Sequence, residues 1–157
     1  MPQIKSKASG RRFAVRHSKI HGNGVFALQH IPAGERLIEY KGKRMTHAAA
    51  DKIYGYESEA DNAHTFLFII DEKILIDANF NGNSARWLNH SCNPNCQSMD
   101  EEGRIYIETI RAVKPGEELL YDYRLSVDER YTPEVKARYK CLCGAKKCRG
   151  TLLYPKR

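Results

Sequence analysis

Arg86-Trp87-Leu88-Asn89-His90-Ser91-Cys92-Asn93-Pro94-Asn95-Cys96 is the stretch on which the reading of this chain turns. An aromatic and a leucine are followed by a run of small, polar and sulfur-bearing residues. Asn, Ser and Pro favour turns and side-chain to backbone bonds, so regular structure is expected to stop near Leu88. Such a run beside an aromatic reads either as a functional loop or as an Asx-rich surface turn.

The far end of the chain decides between them. Cys141-Leu142-Cys143-Gly144-Ala145-Lys146-Lys147-Cys148 is a C-x-C-x4-C array. It offers three thiols, one short of the four that structural zinc takes. The missing thiolate has to come from Cys92 or Cys96, the only other cysteines. The tail is therefore expected to fold back onto the polar loop. Disulfide pairing is the alternative, but five cysteines is an odd number and nothing points to an oxidising compartment.

With those two segments in hand, the chain resembles the SET-domain protein lysine methyltransferases of trithorax/MLL type, which carry a post-SET zinc module. The resemblance rests on Asn89-His90-Ser91-Cys92-x-Pro94-Asn95-Cys96, Gly116-Glu117-Glu118-Leu119-x-Tyr121-Asp122-Tyr123 and the C-x-C-x4-C tail. His21-Gly22-Asn23-Gly24-Val25-Phe26 and Glu39-Tyr40-x-Gly42 add the opening motifs in the right order. It covers residues 13 to 153.

The fold this implies is mainly β with short helices: the SET fold, a β-clip of small curved sheets with a threaded C-terminal segment, plus a C-terminal zinc module. The expected organisation is a basic disordered N-terminus over 1–12, a SET domain over 13–124 and a post-SET module with its tail over 125–157. Within the SET domain an insert at 45–64 would form one wall of the substrate groove. Its acids Glu57, Glu59 and Asp61 are either contacts for substrate Lys and Arg or a solvated charge run.

The implied cofactors are S-adenosyl-L-methionine and structural zinc. Cofactor contacts carry over to His21, Gly22, Asn23, Gly24, Phe66, Asn89, His90 and Leu142, and zinc ligation to Cys92, Cys141, Cys143 and Cys148. Cys96 is left as a reduced thiol. Tyr123 matches the catalytic tyrosine, Tyr121 the position that tunes how many methyls are added, and Tyr40 a further site aromatic. His90 is expected to orient rather than act as a base, and Arg86 to brace its loop. Tyr121 implies mono- or dimethylation. Phe66 departs from the family, which has Tyr at that position.

Two glycines around Asn23 let backbone approach a ligand closely, although a simple hairpin turn would explain them too. Apolar runs read as strands at Phe13–Arg16, Val25–Leu28, Leu37–Tyr40, Phe66–Ile70, Ile74–Ile76, Ile105–Ile107 and Leu119–Tyr123. In a strand, Tyr121 and Tyr123 would face one side. One helix is expected from Thr46, as N-cap, to about Tyr56, and a short one opened by Pro133. Ile31-Pro32-Ala33-Gly34-Glu35 and Val113-Lys114-Pro115-Gly116-Glu117 are matching turns ahead of strands.

The length suits one compact domain, and 41% hydrophobic residues suffice for a core that zinc supplements. No apolar run approaches the ~20 residues that span a membrane, and the basic start lacks the apolar segment of a secretory signal. A soluble intracellular monomer is expected, in the nucleus if eukaryotic and in the cytoplasm if bacterial.

The net charge of +7 is unevenly spread. Residues 1–20 hold six basic groups and 136–157 hold eight, neither with an acid, so the ends carry +14. The body between them, with nineteen acids against twelve bases, carries −7. An acidic body suits a basic protein substrate, histone or histone-like, while basic ends suit DNA or a nucleosome. The competing classes are a methyltransferase of a non-histone basic protein and a non-catalytic, zinc-stapled nucleic-acid-binding module.

Overall fold

Residues 11–54, 66–126 and 129–155 are described by the computed structural model. Among the described residues ten short strands build two sheets. The larger begins with an antiparallel hairpin, β1 (Phe13–His17) and β2 (Asn23–Ala27), in register from Phe13 opposite Ala27 to His17 opposite Asn23. Across the sheet lie β3 (Arg36–Glu39), β8 (Cys96–Glu101), β9 (Arg104–Thr109) and β10 (Glu118–Tyr121). Their order is β1-β2-β10-β8-β9-β3. The smaller sheet, β4-β6-β5, joins β4 (Lys43–Thr46), β6 (Ile74–Asp77) and β5 (Leu67–Ile69). The β8–β9 turn, Glu102-Gly103, has positive φ at both residues, as a two-residue hairpin in a right-twisted sheet requires.

The loop quoted at the outset brackets β10. Within it, Asn89–His90 form β7, pairing in parallel with Leu120 and Tyr121, while Cys96, where β8 starts, pairs with Tyr121. Asn95 completes the closure: its Nδ2 donates to the Glu118 carbonyl at 2.8 Å and its Oδ1 accepts from Leu120 N–H at 2.8 Å. A 3-10 turn, Ser84–Trp87, leads in and is capped by the Asn83 side chain.

The matching turns are partners rather than repeats. Ile31 and Val113 exchange both backbone hydrogen bonds, at 2.9 and 2.8 Å, and both are fully buried. With Val25, Ile76, Ile107 and Leu119 they form the main core. A second apolar cluster, Val135, Tyr139, Cys141, Leu152 and Leu153, lies in the C-terminal module. Two helices flank the sheets. In α1 (His47–Tyr54) the Thr46 hydroxyl accepts from Ala49 N–H, and in α2 (Pro133–Arg138) Thr132 accepts from Val135 N–H behind a proline at the first position.

Several expectations need correction. Regular structure does not end at Leu88, because Asn89–His90 finds a partner in β10. β4 and β8, with the polar sequences KRMT and CQSMDE, were not expected as strands; register with a neighbour, not apolar content, makes them so. The last strand stops at Tyr121, leaving Tyr123 beyond it. Phe66 precedes β5 with a φ of 55° instead of opening the strand. The disordered N-terminus, the end of the α1 expectation and the acids at 57, 59 and 61 fall wholly or largely outside the described residues. No helix among the described residues is long and apolar enough to cross a membrane.

Candidate active site and metal centre

The β1–β2 turn and the Asn89 loop are clamped together by one side chain. Asn89 Nδ2 shares its two N–H bonds among His21 O at 3.1 Å, Asn23 O at 3.0 Å and Glu118 Oε2 at 2.9 Å. The Glu118 carboxylate also accepts from the Ser18 hydroxyl at 2.8 Å. The two glycines also have a local structural reason. Gly22 has a φ of 47°, and a Cβ on Gly24 would sit 2.2 Å from Glu118 Oε2. The glycines let the turn close on Glu118.

Two concavities meet at this clamp. The larger, ≈ 280 Å³, is walled by Tyr40, Phe66, Phe68, Trp87, Tyr121 and Tyr123, with Asn23 and Asn89 also lining it. Tyr40 and Tyr121 lie at its buried floor, 4% and 5% exposed, and Ile69, 48% exposed, lies at its rim. The rings pack on one another: Tyr121 and Tyr123 are 4.9 Å apart, Tyr40 and Phe68 5.2 Å, Phe66 and Trp87 5.1 Å edge-on. The smaller cleft, ≈ 30 Å³, is lined by His21, Asn89, His90, Tyr123, Lys140 and Leu142, among others. Asn89 and Tyr123 belong to both.

Tyr123 reaches the shared wall from outside the strand. Its backbone N–H donates to His90 Nδ1 at 3.1 Å and its hydroxyl to the Leu88 carbonyl at 2.6 Å. With Nδ1 accepting, neutral His90 carries its proton on Nε2, which faces Cys92 Sγ at 3.4 Å. Burial pushes the His90 imidazole down to about 4; the Asp122 carboxylate opposes this and Arg149 adds to it. Burial likewise raises the phenols of Tyr40, Tyr121 and Tyr123 well above their ordinary value. His90 and the three phenols are thus held neutral, and the Tyr123 hydroxyl proton is committed to the Leu88 carbonyl.

Cys92, Cys141, Cys143 and Cys148 bring their four sulfurs within 4.8 Å of one another. Cys92 lies 3.8 Å from Cys141 and 4.0 Å from Cys148. The edge of a tetrahedron with zinc–sulfur bonds of about 2.3 Å is about 3.8 Å, so the cluster fits zinc. Each sulfur also accepts a backbone N–H, from Arg149, Cys143, Ala145 and Gly150, at 3.3–3.5 Å. Burial works against ionising Cys143, yet N–H groups of Cys92 and Ala145 outweigh it and hold that thiol at about 6. Cys96 stands apart from the cluster, fully buried, its thiol pushed up by burial to about 12.

A model of the family described as "SET domain" matches residues 22–124, from the glycine turn to the residue after Tyr123. The chain belongs to the SET-domain family. It is 37% identical over 155 residues to the histone-lysine N-methyltransferase SETD1B of Xenopus laevis, covering 96% of this chain and 8% of that protein. It is 37% identical over 154 residues to SETD1 of Drosophila melanogaster, a histone-lysine N-methyltransferase, covering 96% and 9%. A histone-lysine N-methyltransferase of Mycosarcoma maydis named H3 lysine-4 specific is 36% identical over 157 residues, covering 96% and 10%. The SET chain thus spans a tenth or less of the length of these relatives.

The structure gathers the sequence-derived residues of this SET domain into three groups. Tyr40, Tyr121, Tyr123, Phe66, Asn23 and Asn89 surround the larger cavity, and His21, His90 and Leu142 join Asn89 and Tyr123 at the cleft. The four cysteines form the third group. Gly22 and Gly24 shape the turn instead of lining either space. Sequence reasoning missed Glu118 as the clamp on Asn89. It also missed Arg149, whose guanidinium holds Asp122 at 2.7 and 3.2 Å while its N–H holds Cys92. The motif GEELxYDY contains Glu118 and Asp122, but their partners lie far off in sequence. Arg86 braces its loop as expected, donating to the Ala78 carbonyl with its guanidinium 4.8 Å over Trp87.

Proposed function

We propose that this SET domain is an S-adenosylmethionine-dependent lysine N-methyltransferase acting on a histone or a similar basic protein, with mono- and dimethylation favoured. The observation that carries this reading is the meeting of two concavities at one wall, Tyr123 and Asn89. A methyl donor in the cleft and a lysine in the aromatic cavity would approach each other across it. Bound S-adenosylmethionine supplies a methyl group activated by its sulfonium.

The chain's own residues do the rest. Lysine has to arrive neutral, which at pH 8 costs about 3 kcal/mol against a pKa of about 10.4. An apolar aromatic cavity disfavours the ammonium form, and so does its lining of Arg86 and Arg124 without a carboxylate among the described residues. Tyr123 spends its hydroxyl proton on Leu88, leaving the oxygen lone pairs as acceptors beside the reacting nitrogen. No general base is needed there, and His90, with both ring nitrogens engaged, supports an orienting role. His21, Asn89, His90 and Leu142 form the donor's side, with Asn23 beside them at the cavity wall and the Gly22–Gly24 turn held by Glu118. Phe66, edge-on to Trp87, closes the cavity with no hydroxyl of its own.

Cys92, Cys141, Cys143 and Cys148 would hold zinc and so join a post-SET module, residues 129–155, to the Asn89 loop beside the cleft. The exposed Lys146 and Lys147 on that module suit contact with nucleosomal DNA, and the place of action is chromatin. The test is intact-mass analysis of core histones, nucleosomes and a basic bacterial DNA-binding protein after incubation with S-adenosylmethionine. Tyr123→Phe serves as control. A Tyr123-dependent gain of one or two methyls on a histone is expected. Transfer to the bacterial protein alone moves the substrate, and absence of both transfer and donor binding overturns the reading.

A further inference from the structure

The rim of the aromatic cavity carries a fixed charge. Asn23, Ile69, Arg124 and Ser126 are the exposed members of the wall, in contrast to its buried floor of Tyr40 and Tyr121. Arg124 sits at a φ of 50°, unusual for a non-glycine residue, with its N–H held by Asp122 Oδ1 at 2.9 Å. Its guanidinium stands 5.7 Å from the Tyr154 ring, which Arg149 flanks at 5.3 Å. Tyr154 is itself tied down, its N–H donating to the Leu125 carbonyl at 2.8 Å, beside the parallel bridge of Leu125 with Leu153.

Among the described residues this charge is not paired with a carboxylate. Asp122, the nearest carboxylate in sequence, gives both oxygens to Arg149. No carboxylate lies within salt-bridge distance of Arg124 among the described residues, and the described wall contains no Asp or Glu.

We propose that Arg124 is a specificity-determining residue: its guanidinium, fixed on Tyr154 at the cavity mouth, selects target lysines whose immediate neighbours are neutral or acidic and rejects those flanked by Lys or Arg. This rests on reading the cavity as the lysine channel. A lysine inserted to the floor brings the residues on either side of it to the rim, where a like charge is repelled and an opposite one attracted. The effect is electrostatic at a partly wet surface, so added salt weakens it.

The experiment uses short lysine peptides that differ only in the residue before or after the target, as Glu, Gln or Lys. Binding is read by fluorescence anisotropy with S-adenosylhomocysteine present, and methyl transfer as kcat/KM, for the unaltered chain, Arg124→Gln and Arg124→Glu. Circular dichroism and melting confirm that each variant is folded. The unaltered chain is expected to favour the Glu-flanked over the Lys-flanked peptide by about tenfold, Arg124→Gln to reduce this to about threefold or less, and Arg124→Glu to invert it. Half-molar salt should flatten all three. The same ratio in all three proteins overturns the inference while leaving the enzyme intact. Failure of every peptide to bind or be methylated overturns both the channel reading and this inference with it.

Discussion

Arg149→Gln tests how the four-cysteine module is joined to the end of β10. In the intact chain two guanidinium N–H bonds reach the Asp122 carboxylate at 2.7 and 3.2 Å, and the side chains are 21% and 15% exposed. Burial alone would push the Asp122 carboxyl up, yet the bonds from Arg149 and from Arg124 N–H hold it below the usual range. An exposed pair contributes under about 1 kcal/mol, and breaking a fully buried one costs about 3–5 kcal/mol. For this half-buried, two-pronged pair an intermediate loss of about 2 kcal/mol is expected. It falls on the contact between the module and the end of β10, because Arg149 follows Cys148 and Asp122 follows Tyr121. At 1.4 kcal/mol per tenfold, zinc release should accelerate by about 30-fold. The assay is zinc transfer to a chromogenic chelator, run on Arg149→Gln, Asp122→Asn and the double variant. The two singles should be alike and the double no worse than either, a coupling of about 2 kcal/mol. Additive effects, or release within twofold of the unaltered chain, would refute the argument.

Gly24→Ala should displace Glu118 from Ser18 and Asn89, lowering stability by about 1–3 kcal/mol and weakening S-adenosylmethionine binding; calorimetry and thermal melts measure both. Cys92→Ala should purify with less than one zinc per chain, whereas Cys96→Ala keeps the metal and loses only packing, as elemental analysis will report. Tyr121→Phe frees space at the cavity floor and should shift the product distribution toward trimethyl-lysine by mass spectrometry; trimethylation by the unaltered chain would sink the premise. Burial and the hydrogen bond to Asp77 push the Tyr54 phenol up to about 12. The fold favours the neutral form, so this contribution is whole below pH 10 and fades as pH rises toward 12. Ultraviolet titration should show one late phenol more in the unaltered chain than in Tyr54→Phe, beside those of Tyr40, Tyr121 and Tyr123.

The parts legible in the sequence are those whose chemistry is local. The cysteine array announces itself by residue type and spacing, the Asn-His pair and the two tyrosines by their resemblance to the family's motifs, and apolar strands such as Ile74–Asp77 by composition. What stayed hidden depends on distant partners. β8 is polar along most of its length and is a strand because β9 and β10 flank it. Tyr123 shares a wall with Tyr121 because His90 and Leu88 hold it there, not because of strand alternation. Glu118 looks like a surface acid until Ser18 and Asn89 are seen converging on it from 100 and 29 residues away.

The bracketing of β10 by residues 89–96 sets an order of assembly. A ribosome delivers the loop first, and at that moment Asn95, 1% exposed in the finished protein, has no backbone to bind. Its two bonds become available only when residues 118–120 emerge and pass through. Cys92, on the same loop, waits longer still, for sulfurs at 141, 143 and 148. Contacts this remote in sequence close slowly. A zinc ion bound by all four sulfurs would therefore be held only once the C-terminal array has emerged and docked on the loop that brackets β10.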